Sequence, residues 1–540
     1  MWQLREVPTD LRARYLSAGH WTDATFASFL EDEVTARPTL GVHIWSATHP
    51  SQSTTGALFE QALRLASSLE RRGIRAGDVV AYQIPNWAEA MSVLWAGFRI
   101  GAVMVPIVHT YGAREVEFIL RQSGARAFVT VDRFGHVDHL GNLALFRDRL
   151  DALEYLIVLR SGVPGPTLAA TIALDSLFDA EPLAGTTDID PDLPAMIGYT
   201  SGTTADPKGV IHTHRSLLFE IRQLAALDPG ARPQLSSSPI AHMTGMLAAH
   251  LLPLVRHQPI HLTDKWNAAE ALRIIVDADV ASGTGATVFL TDLLDHPEFT
   301  LEHARRISSV GLGGSPVPAA VAERAEAVGI TVYRSYGSTE HPSITGSRTD
   351  EPRAKRGATD GHALDGVDMR LVDVDTGLQV GPGQPGEILS RGPDLFAGYS
   401  DPALTARAFF ADGWYRTGDV GVLDEAGYLT ITDRISDIII RGGSNISAAE
   451  IEEVLVRMPV VAECAVVAAT DARLGERAVA VLRLRHGEAA VDLSQVQAHL
   501  DAAGIPKQKW VEAVRLVDDF PRTPSGKIRK FVLRDELRRD

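Results

Sequence analysis

Short apolar runs, separated by stretches with helical periodicity, recur through the first part of this 540-residue chain, up to about residue 360. Four of these runs lie at residues 79–84, 102–107, 127–131 and 155–159. Strands that are apolar along their whole length are typical of a sheet that helices cover on both faces. The sequence therefore predicts an α/β fold, with helix-flanked sheets in a large N-terminal domain.

Glycine residues become much more frequent beyond about residue 360. Eight glycines fall between Gly361 and Gly398, with short alternating segments between them, which predicts a small β-rich subdomain over about 360–433. After it, helical and extended patterns alternate for about a hundred residues, enough for a small, separate α+β domain. We therefore predict an N-terminal domain over 1–433 and a C-terminal domain over 434–540.

Composition excludes several classes of protein. The formal net charge of −16 argues against a nucleic-acid or anionic-membrane binder. One cysteine, Cys464, cannot form a disulfide within the chain and fits a reducing compartment. The N-terminus lacks the pattern of a secretion signal, and the longest apolar stretch, 243–255, is too short to span a bilayer. We expect a cytoplasmic protein with no transmembrane segment.

The segment 199–209 carries the strongest chemical signal. It reads Tyr-Thr-Ser-Gly-Thr-Thr-Ala-Asp-Pro-Lys-Gly and offers hydroxyls, backbone N–H groups and an ammonium in one place, as a polyphosphate requires. The common Gly-x4-Gly-Lys-Ser/Thr order is absent, because Lys208 precedes its glycine. Gly, Ser, Thr and Pro are also ordinary surface-loop residues. Taken alone, the segment leaves a phosphate site and a plain loop equally open.

Three further clusters lie at 335–340, 415–419 and 521–527. Glu340 could hold Mg²⁺ on a triphosphate, because that ion prefers oxygen ligands that it shares with phosphate. Asp419 could accept both hydroxyls of a ribose, and Lys527 is a cation on a loop that could reach a distant anion. Each residue alone is more typical of an exposed charge or a turn. Their joint occurrence in this order favours a nucleotide site.

These clusters, together with 313–315, 433–443 and 445–452, follow the order found in the adenylate-forming superfamily. The chain resembles that superfamily over nearly its whole length. Its members include acyl- and aryl-CoA synthetases, beetle luciferases and the adenylation domains of peptide synthetases. Within the superfamily, the sequence as a whole most resembles bacterial medium-chain and cyclohexanecarboxylate-type CoA ligases.

The resemblance implies an ATP- and Mg²⁺-dependent ligase and assigns a role to each matching residue. The phosphate loop would contain Thr200, Ser201, Gly202, Thr203, Thr204 and Lys208. The adenine would be lined by Gly313, Gly314, Ser315, Ser335, Tyr336 and Gly337. The catalytic and ribose-binding groups would be Thr339 near the α-phosphate, Glu340 on Mg²⁺, Asp419 and Arg434 on the ribose, and Lys527 between the carboxylate and the α-phosphate.

Members of this superfamily swing the C-terminal domain between two half-reactions, and the resemblance implies the same here. Gly442 and Gly443 would form the face that receives the CoA thiol. Two positions depart from the usual pattern. Ser436 stands at the hinge, where Asp or Lys is usual, and Ala205 stands in the phosphate loop, where Gly is usual. Whether Ser436 or Asp437 acts as the pivot stays open.

The acid is predicted from segment 236–245, which has no carboxylate to pair with a substrate ammonium. Because an unpaired buried ammonium is costly, amino acids are disfavoured. His242 matches the residue that borders the carboxylate pocket, and Met243, Met246 and Gly285 would line an apolar remainder. We expect a medium-chain, alicyclic or aromatic acid.

CoA is the expected acceptor, since no carrier-protein domain follows Lys527 in the sequence. The alternatives are an acyl-AMP ligase that loads a separate carrier protein, and a luciferase-like oxidative enzyme. A homodimer, and a lysine acetyltransferase that modifies Lys527, are kept as hypotheses.

Overall fold

The computed structural model describes residues 2–161, 168–185, 187–200, 207–314, 317–410, 412–442, 444–471, 473–485, 487–523 and 527–538. It contains α-helices, most of which bury apolar side chains. They are Thr9–Ser17, Phe26–Ala36, Thr55–Arg71, Ala88–Arg99, Ala113–Ser123, His139–Ala144, His214–Leu227, Leu252–Val255, Ala268–Asp277, Thr287–Asp295, Leu301–Ile307, Ala319–Ala327, Arg353–Arg356, Pro402–Ala408, Ala448–Leu455, Leu493–Ala502 and Lys530–Leu537. A π-helix, which the sequence did not predict, spans Gly245–Leu251.

The largest sheet has eight strands, and four adjacent ones are the predicted apolar runs. The strands are, in spatial order, Gly398–Tyr399, Lys208–Thr213, Pro194–Thr200, Val103–Pro106, Val79–Gln83, Ala127–Val131, Tyr155–Leu159 and Thr171–Ala173. The run from Val103–Pro106 to Thr171–Ala173 is parallel, and Lys208–Thr213 pairs antiparallel on both sides. The predicted α/β fold is confirmed.

Two smaller sheets complete the helix-covered part of the chain. The first contains Ala281–Ser282, Gln234–Ser236, Ile260–Thr263, Gly41–Trp45 and Ser51–Thr54. The second contains Ser309–Gly313, Thr331–Tyr336, Thr345–Gly346 and His362–Ala363. Strand Ser309–Gly313 is parallel to Thr331–Tyr336, so that Gly313 lies beside Ser335 at the carboxyl ends of both strands. Ligands of α/β sheets bind at such ends.

The glycine-rich region forms an antiparallel sheet of Asp368–Val372, Pro385–Arg391, Tyr415–Leu423 and Leu429–Arg434. A last sheet follows in the C-terminal part, with strands Ser444–Ile446, Ile439–Arg441, Gly475–Leu484, Val461–Asp471 and Ala513–Leu516. This part has its own buried clusters, around Ile451 and Val466 on one face and around Val467 and Leu533 on the other. The predicted boundary at 433/434 falls at the end of strand Leu429–Arg434 and stays a prediction.

Cys464 lies in strand Val461–Asp471, where its thiol donates to the backbone oxygen of Glu452 at 3.4 Å. Burial raises the pKa of this thiol well above its ordinary range, so it is a poor nucleophile. Within the part of the chain that the structure describes, no helix is both long enough and apolar enough to cross a membrane.

Candidate active site

Asp419 and Arg434 face each other across two antiparallel strands, Tyr415–Leu423 and Leu429–Arg434. Arg434 Nε lies 3.1 Å from Asp419 Oδ1. The hydroxyl of Tyr336, from the carboxyl end of a different sheet, donates to Asp419 Oδ2 at 2.7 Å. Each carboxylate oxygen thus has one partner and keeps a lone pair. The group can therefore still accept two hydroxyl donors from a diol.

Burial raises the pKa of Asp419, although Arg434, the Tyr336 hydroxyl and Lys527 each lower it. Charge attraction to Asp419 raises the pKa of Arg434. An arginine beside a carboxylate that is largely removed from water interacts with it more strongly than an exposed pair would. The two residues are therefore fixed relative to each other in the protein alone.

The Thr339–Glu340 turn is held through its backbone and through one side chain. The oxygen of Thr339 accepts a hydrogen bond from His212 Nε2 at 2.7 Å, and the oxygen of Glu340 accepts one from Phe396 N at 2.8 Å. The hydroxyl of Tyr399 donates to Glu340 Oε1 at 2.8 Å. Burial lowers the pKa of His212 to about 4, so the ring is neutral and its Nε2–H is the donor.

Lys208 lies near Tyr399, whose hydroxyl donates to Glu340. Its Nζ is 5.7 Å from the centre of the Tyr399 ring, within the range of a cation–π interaction. Lys208 begins a strand that pairs antiparallel with Pro194–Thr200, and Thr200 is its partner in register. The two ends of the predicted phosphate loop are therefore adjacent, while Ser201, Gly202, Thr203, Thr204 and Ala205 lie outside the described residues.

Close packing requires two glycines in the predicted adenine-binding region, and a positive φ favours glycine at a third position. A Cβ on Gly313 would lie 2.7 Å from the backbone oxygen of Ser335, and one on Gly337 would overlap the backbone of Pro342. Gly314 has φ +73°, and a Cβ there would lie 3.9 Å from Lys527 Cε. The predicted adenine residues and the C-terminal lysine are therefore neighbours, with Ser315 outside the described residues.

Lys527 comes from the C-terminal part of the chain, yet its ammonium interacts with Arg434, Asp419 and Glu340. Burial lowers the pKa of Lys527, the charge of Arg434 lowers it further, and the two carboxylates oppose the shift. As a residue Lys527 counts as exposed. The residue is exposed, yet its ammonium is desolvated. Both properties are expected of a lysine in the wall of a cleft, where part of the side chain is open to water and the ammonium is surrounded by protein.

His242 lies close enough to Lys527 for the lysine charge to act on it. Its ring is half-buried, and its pKa is lowered to about 4, first by burial and then by the charge of Lys527. A neutral imidazole results at physiological pH. Met243 lies near Thr339, because both side chains approach Gly198. A Cβ on Gly198 would lie 3.2 Å from Thr339 Cγ2 and 3.9 Å from Met243 Cε.

A small cavity lies next to segment 236–245, and the centre of a water molecule can reach about 10 Å³ of it. A Cβ on Gly285, one of the predicted pocket residues, would lie 3.1 Å from Ser238 Oγ in the wall of that cavity. The lining residues are Leu235, Ser236, Ser237, Ser238, Trp266, Ser282, Gly283, Thr284 and Phe289.

The wall of this cavity consists of other residues than those predicted to line the acid pocket, and the predicted pocket stays a prediction. Five of the nine wall residues carry hydroxyls, neither Met243 nor Met246 is among them, and Met246 is fully buried in the core. The sequence offered no signal for Trp266 and Phe289, whose rings meet edge to face at 4.9 Å.

The predicted CoA face and hinge lie on the first turns of the C-terminal part. Gly442 has φ +57°, and its N–H donates to the oxygen of Leu474 at 2.8 Å; Gly443 lies outside the described residues. Ser436 is exposed in the short 3₁₀ turn Ile435–Asp437, whereas Arg534 binds Asp437 Oδ1 at 2.9 Å. The ion pair therefore ties down Asp437 and leaves the Ser436 side chain at the surface.

The carboxylates of the candidate site fit Mg²⁺ only as an ion that is bound together with a polyphosphate. Among the described residues, no group of three His, Cys, Asp or Glu side chains lies close enough to hold a metal ion. Glu340 is a single carboxylate, and one of its oxygens already accepts a hydrogen bond. Such a donor set suits an ion that takes most of its ligands from a polyphosphate and water, and does not suit a metal held by protein groups alone.

Comparison with known proteins covers both parts of the chain. Residues 30–400 match the AMP-binding enzyme family, and residues 450–527 match the AMP-binding enzyme C-terminal domain. A medium-chain fatty-acid–CoA ligase of Escherichia coli (strain K12) is 32% identical over 536 residues, covering 98% of this chain and 93% of that protein.

Two further similarities bear on the site. A CoA ligase of Rhodococcus jostii (strain RHA1), named for a propanoyl substrate with a methyl-dioxo-octahydro-indenyl ring system, is 31% identical over 501 residues, covering 89% of this chain and 93% of that protein. The structure of ATP-bound MatB from Rhodopseudomonas palustris has a TM-score of 0.85 at 29% identity, covering 95% of this chain and 99% of that chain.

Proposed function

This chain belongs to the AMP-binding enzyme family and is an AMP-forming acid–thiol ligase, and we propose that it joins a medium-chain, alicyclic or aromatic carboxylic acid to CoA. The observation that supports this most directly is the convergence of four charged groups from distant parts of the chain. Lys527, Arg434, Asp419 and Glu340 interact with one another beside a neutral His242.

The reaction has two steps. In the first, a carboxylate oxygen bonds to the α-phosphorus of ATP while the bond from that phosphorus to the β-phosphate oxygen breaks, and pyrophosphate leaves. In the second, the CoA sulfur bonds to the acyl carbon, AMP leaves with the electron pair of the carbon–oxygen bond, and the thiol proton passes to solvent. Both steps bring anionic or electron-rich groups together, so that positioning and positive charge are the main requirements.

The residues divide this work. Asp419 and Arg434 hold the ribose, and the strand ends at Gly313 and Ser335 accept the adenine. Lys527 stands between the substrate carboxylate and the α-phosphate, where its charge reduces their repulsion. Mg²⁺ would bind at Glu340 and neutralise phosphate charge. Thr339, which His212 fixes through its backbone oxygen, is beside the α-phosphate.

The acid lies beside His242, and its chain or ring extends toward Gly285. A neutral His242 does not compete with Lys527 for the substrate carboxylate. Five hydroxyl residues in the cavity wall favour an acid whose ring or chain also carries an oxygen, because a buried hydroxyl without a partner is costly. Ser237 Oγ is such a group, buried without a partner among the described residues. The named substrate of the Rhodococcus relative, which carries two oxo groups, agrees with that chemistry.

CoA is preferred to a carrier protein as the thiol. The E. coli and Rhodococcus relatives are both named as CoA ligases. Strands Tyr415–Leu423 and Leu429–Arg434 are joined by a short turn, and this leaves no room for the insertion expected of an acyl-AMP ligase that loads a carrier. The homodimer and the acetylation of Lys527 stay hypotheses.

A pyrophosphate-release screen tests the proposal. Straight-chain, alicyclic and aromatic acids are supplied with Mg·ATP, each ring acid paired with its oxo derivative, with and without CoA. We expect acid-dependent release of pyrophosphate without CoA and thioester formation only with it. Thioester formation on a purified carrier protein but not on CoA would favour the alternative, and no release with any acid would refute the ligase assignment.

A Ser237→Ala variant tests the acid class. It should raise the KM of the preferred oxo acid by about tenfold, the loss of one good hydrogen bond, and leave the KM of the matched unsubstituted acid unchanged. Equal changes for both acids would mean that Ser237 only shapes the cavity.

A further inference from the structure

A buried polar network lies directly behind the Thr339–Glu340 turn. The next residue, His341, is completely buried, and its Nε2 lies 3.1 Å from Oδ1 of Asp394, which is equally buried. Its other nitrogen, Nδ1, lies 2.8 Å from Ser390 Oγ. The imidazole is therefore fixed at both ends, and neither end reaches water.

Asp394 is the centre of this network. Besides His341, it accepts a hydrogen bond from the backbone N–H of Ser343 at Oδ2, at 3.4 Å. The Ser343 hydroxyl donates at 2.7 Å to Oε1 of Glu220, which is 1% exposed and belongs to helix His214–Leu227. The network thus joins the turn to a helix on one side and to the strand Pro385–Arg391 on the other.

Two carboxyl groups in this interior are compatible if one of them carries a proton. Burial and the neighbouring Asp394 raise the pKa of Glu220 well above its ordinary range. As a carboxylate, Glu220 would leave its second oxygen, Oε2, without a partner. As a carboxylic acid, it becomes a donor to Asp394. Asp394 then accepts from three donors: Glu220, His341 and the Ser343 backbone.

The network acts on a turn whose backbone has little freedom left. Thr339, Glu340 and His341 each use their backbone oxygen as an acceptor, for His212 Nε2, Phe396 N and Ser338 N respectively. The His341 side chain is completely buried and bound at both nitrogens, whereas the Thr339 and Glu340 side chains are partly exposed. A shift of the imidazole would therefore move both of these groups.

We propose that His341 and Asp394, with Glu220 as a buried carboxylic acid, are positioning residues that set the distance of Thr339 and Glu340 from the triphosphate. The proposal rests on the proposed function, because it needs Glu340 and Thr339 to act on ATP. None of the three residues contacts a substrate. Their effect is on the placement of groups that do, and misplacement by about 1 Å can lower a rate by about a hundredfold.

Asp394→Asn is the most direct test. An asparagine in this position offers one acceptor oxygen and turns two N–H donors toward groups that are themselves donors. Acid-dependent pyrophosphate release should fall by about tenfold to a hundredfold in kcat. The Mg²⁺ requirement should rise, while the KM for the acid stays unchanged, because the cavity is formed by other residues.

Glu220 provides a rescue experiment. Glu220→Ala should reduce kcat like the Asp394 variant, since it removes the donor to Asp394. Glu220→Gln should restore most of the activity, because an amide reproduces a carboxylic acid as a donor to Asp394 and an acceptor from Ser343. If glutamine fails as badly as alanine, Glu220 is not a protonated acid in the folded enzyme and the proposal is wrong in that part.

Asp228→Asn is the matched control. Asp228 is also buried, at 5% exposure, and binds Ser309 Oγ at 3.0 Å, at the end of strand Ser309–Gly313 that lies away from the nucleotide. The Asp228→Asn substitution should lower the melting temperature but leave kcat and the Mg²⁺ requirement of the folded enzyme unchanged. If Asp394→Asn behaves in the same way, the network is structural only and the proposal fails.

Two outcomes remain to be distinguished. Wild-type enzyme that releases no pyrophosphate with any acid contradicts the proposed function, whereas active wild type with unaffected variants contradicts only the positioning role. If the Asp394→Asn variant does not fold, the Ser390→Ala variant is measured in its place. This substitution removes only the hydroxyl that binds His341 Nδ1. A lowered kcat with an increased Mg²⁺ requirement supports the proposal, and wild-type values for both overturn it.

Discussion

The two sides of the candidate active site are built differently. On the N-terminal side, each charged group has fixed partners: Asp419 binds Arg434 and Tyr336, and Glu340 binds Tyr399. On the C-terminal side, Lys527 is held through its backbone, which exchanges hydrogen bonds with Thr523 at 2.7 Å and 3.1 Å. The first side is organised before ATP arrives, whereas the position of the lysine depends on where the small C-terminal part lies.

This difference separates the two half-reactions. The nucleotide-binding side is needed in both of them, because the adenylate occupies it after pyrophosphate has left. In the proposed mechanism, Lys527 acts while the carboxylate attacks the α-phosphorus, which happens only in the first step. Substitutions on the two sides should therefore give different kinetic patterns.

The largest expected effect is that of Lys527→Ala. Loss of the ammonium should lower acyl-adenylate formation by about a hundredfold to a thousandfold and spare thioester formation from supplied acyl-AMP and CoA. Pyrophosphate release and thioester formation are measured separately. Lys509→Ala is a suitable control, because Lys509 is in the same part of the chain and pairs with Glu450 at 2.6 Å. Equal loss in both half-reactions would remove the contrast between the two sides.

Glu340→Gln should have a smaller effect of a different kind. The amide keeps an acceptor for the Tyr399 hydroxyl but loses the charge that attracts Mg²⁺, so that the Mg²⁺ concentration for half-maximal rate should rise by about tenfold. The measurement is a metal titration at fixed ATP. Glu351→Gln, at a partly buried glutamate that binds His362 at 3.2 Å, is the control. An unchanged titration for Glu340→Gln would contradict its role as a ligand.

The smallest effect is on the pH profile. Burial and Arg434 lower the pKa of Lys527 from its ordinary value of 10.5, against the opposing charges of Asp419 and Glu340. Adenylation needs the protonated ammonium, so its rate should fall on the alkaline side at a pH below 10.5. Lys527→Arg keeps the charge at higher pH and should move this fall upward, whatever its effect on the maximal rate. The same alkaline fall in both enzymes would assign it to another group.

Much of the architecture could be predicted because it follows from local patterns. The runs at 79–84 and 127–131 are apolar throughout, and they form neighbouring strands of a parallel sheet covered by helices. The π-helix Gly245–Leu251 could not be predicted, because its residues also satisfy the periodicity of an ordinary helix over so short a length.

The candidate site was predicted in part. Asp419, Glu340 and Lys527 stand in segments whose residue types already indicate phosphate and ribose chemistry, whereas Arg434 was assigned only by the resemblance to the superfamily. The structure brings these four together. Tyr399 was missed, because a tyrosine after a glycine carries no chemical signal until its hydroxyl meets Glu340.

The sequence by itself determined the alternation of helices and strands, the family and the types of group available for ATP. These properties are local, because periodicity and short motifs are written in neighbouring residues. Only the tertiary structure decided which of those groups meet, that the cavity near His242 has a hydroxyl-rich wall, and that Glu220 is buried against Asp394. Such properties depend on packing between distant segments, and packing sets the burial and the partners from which each side chain acquires its charge state and its chemistry.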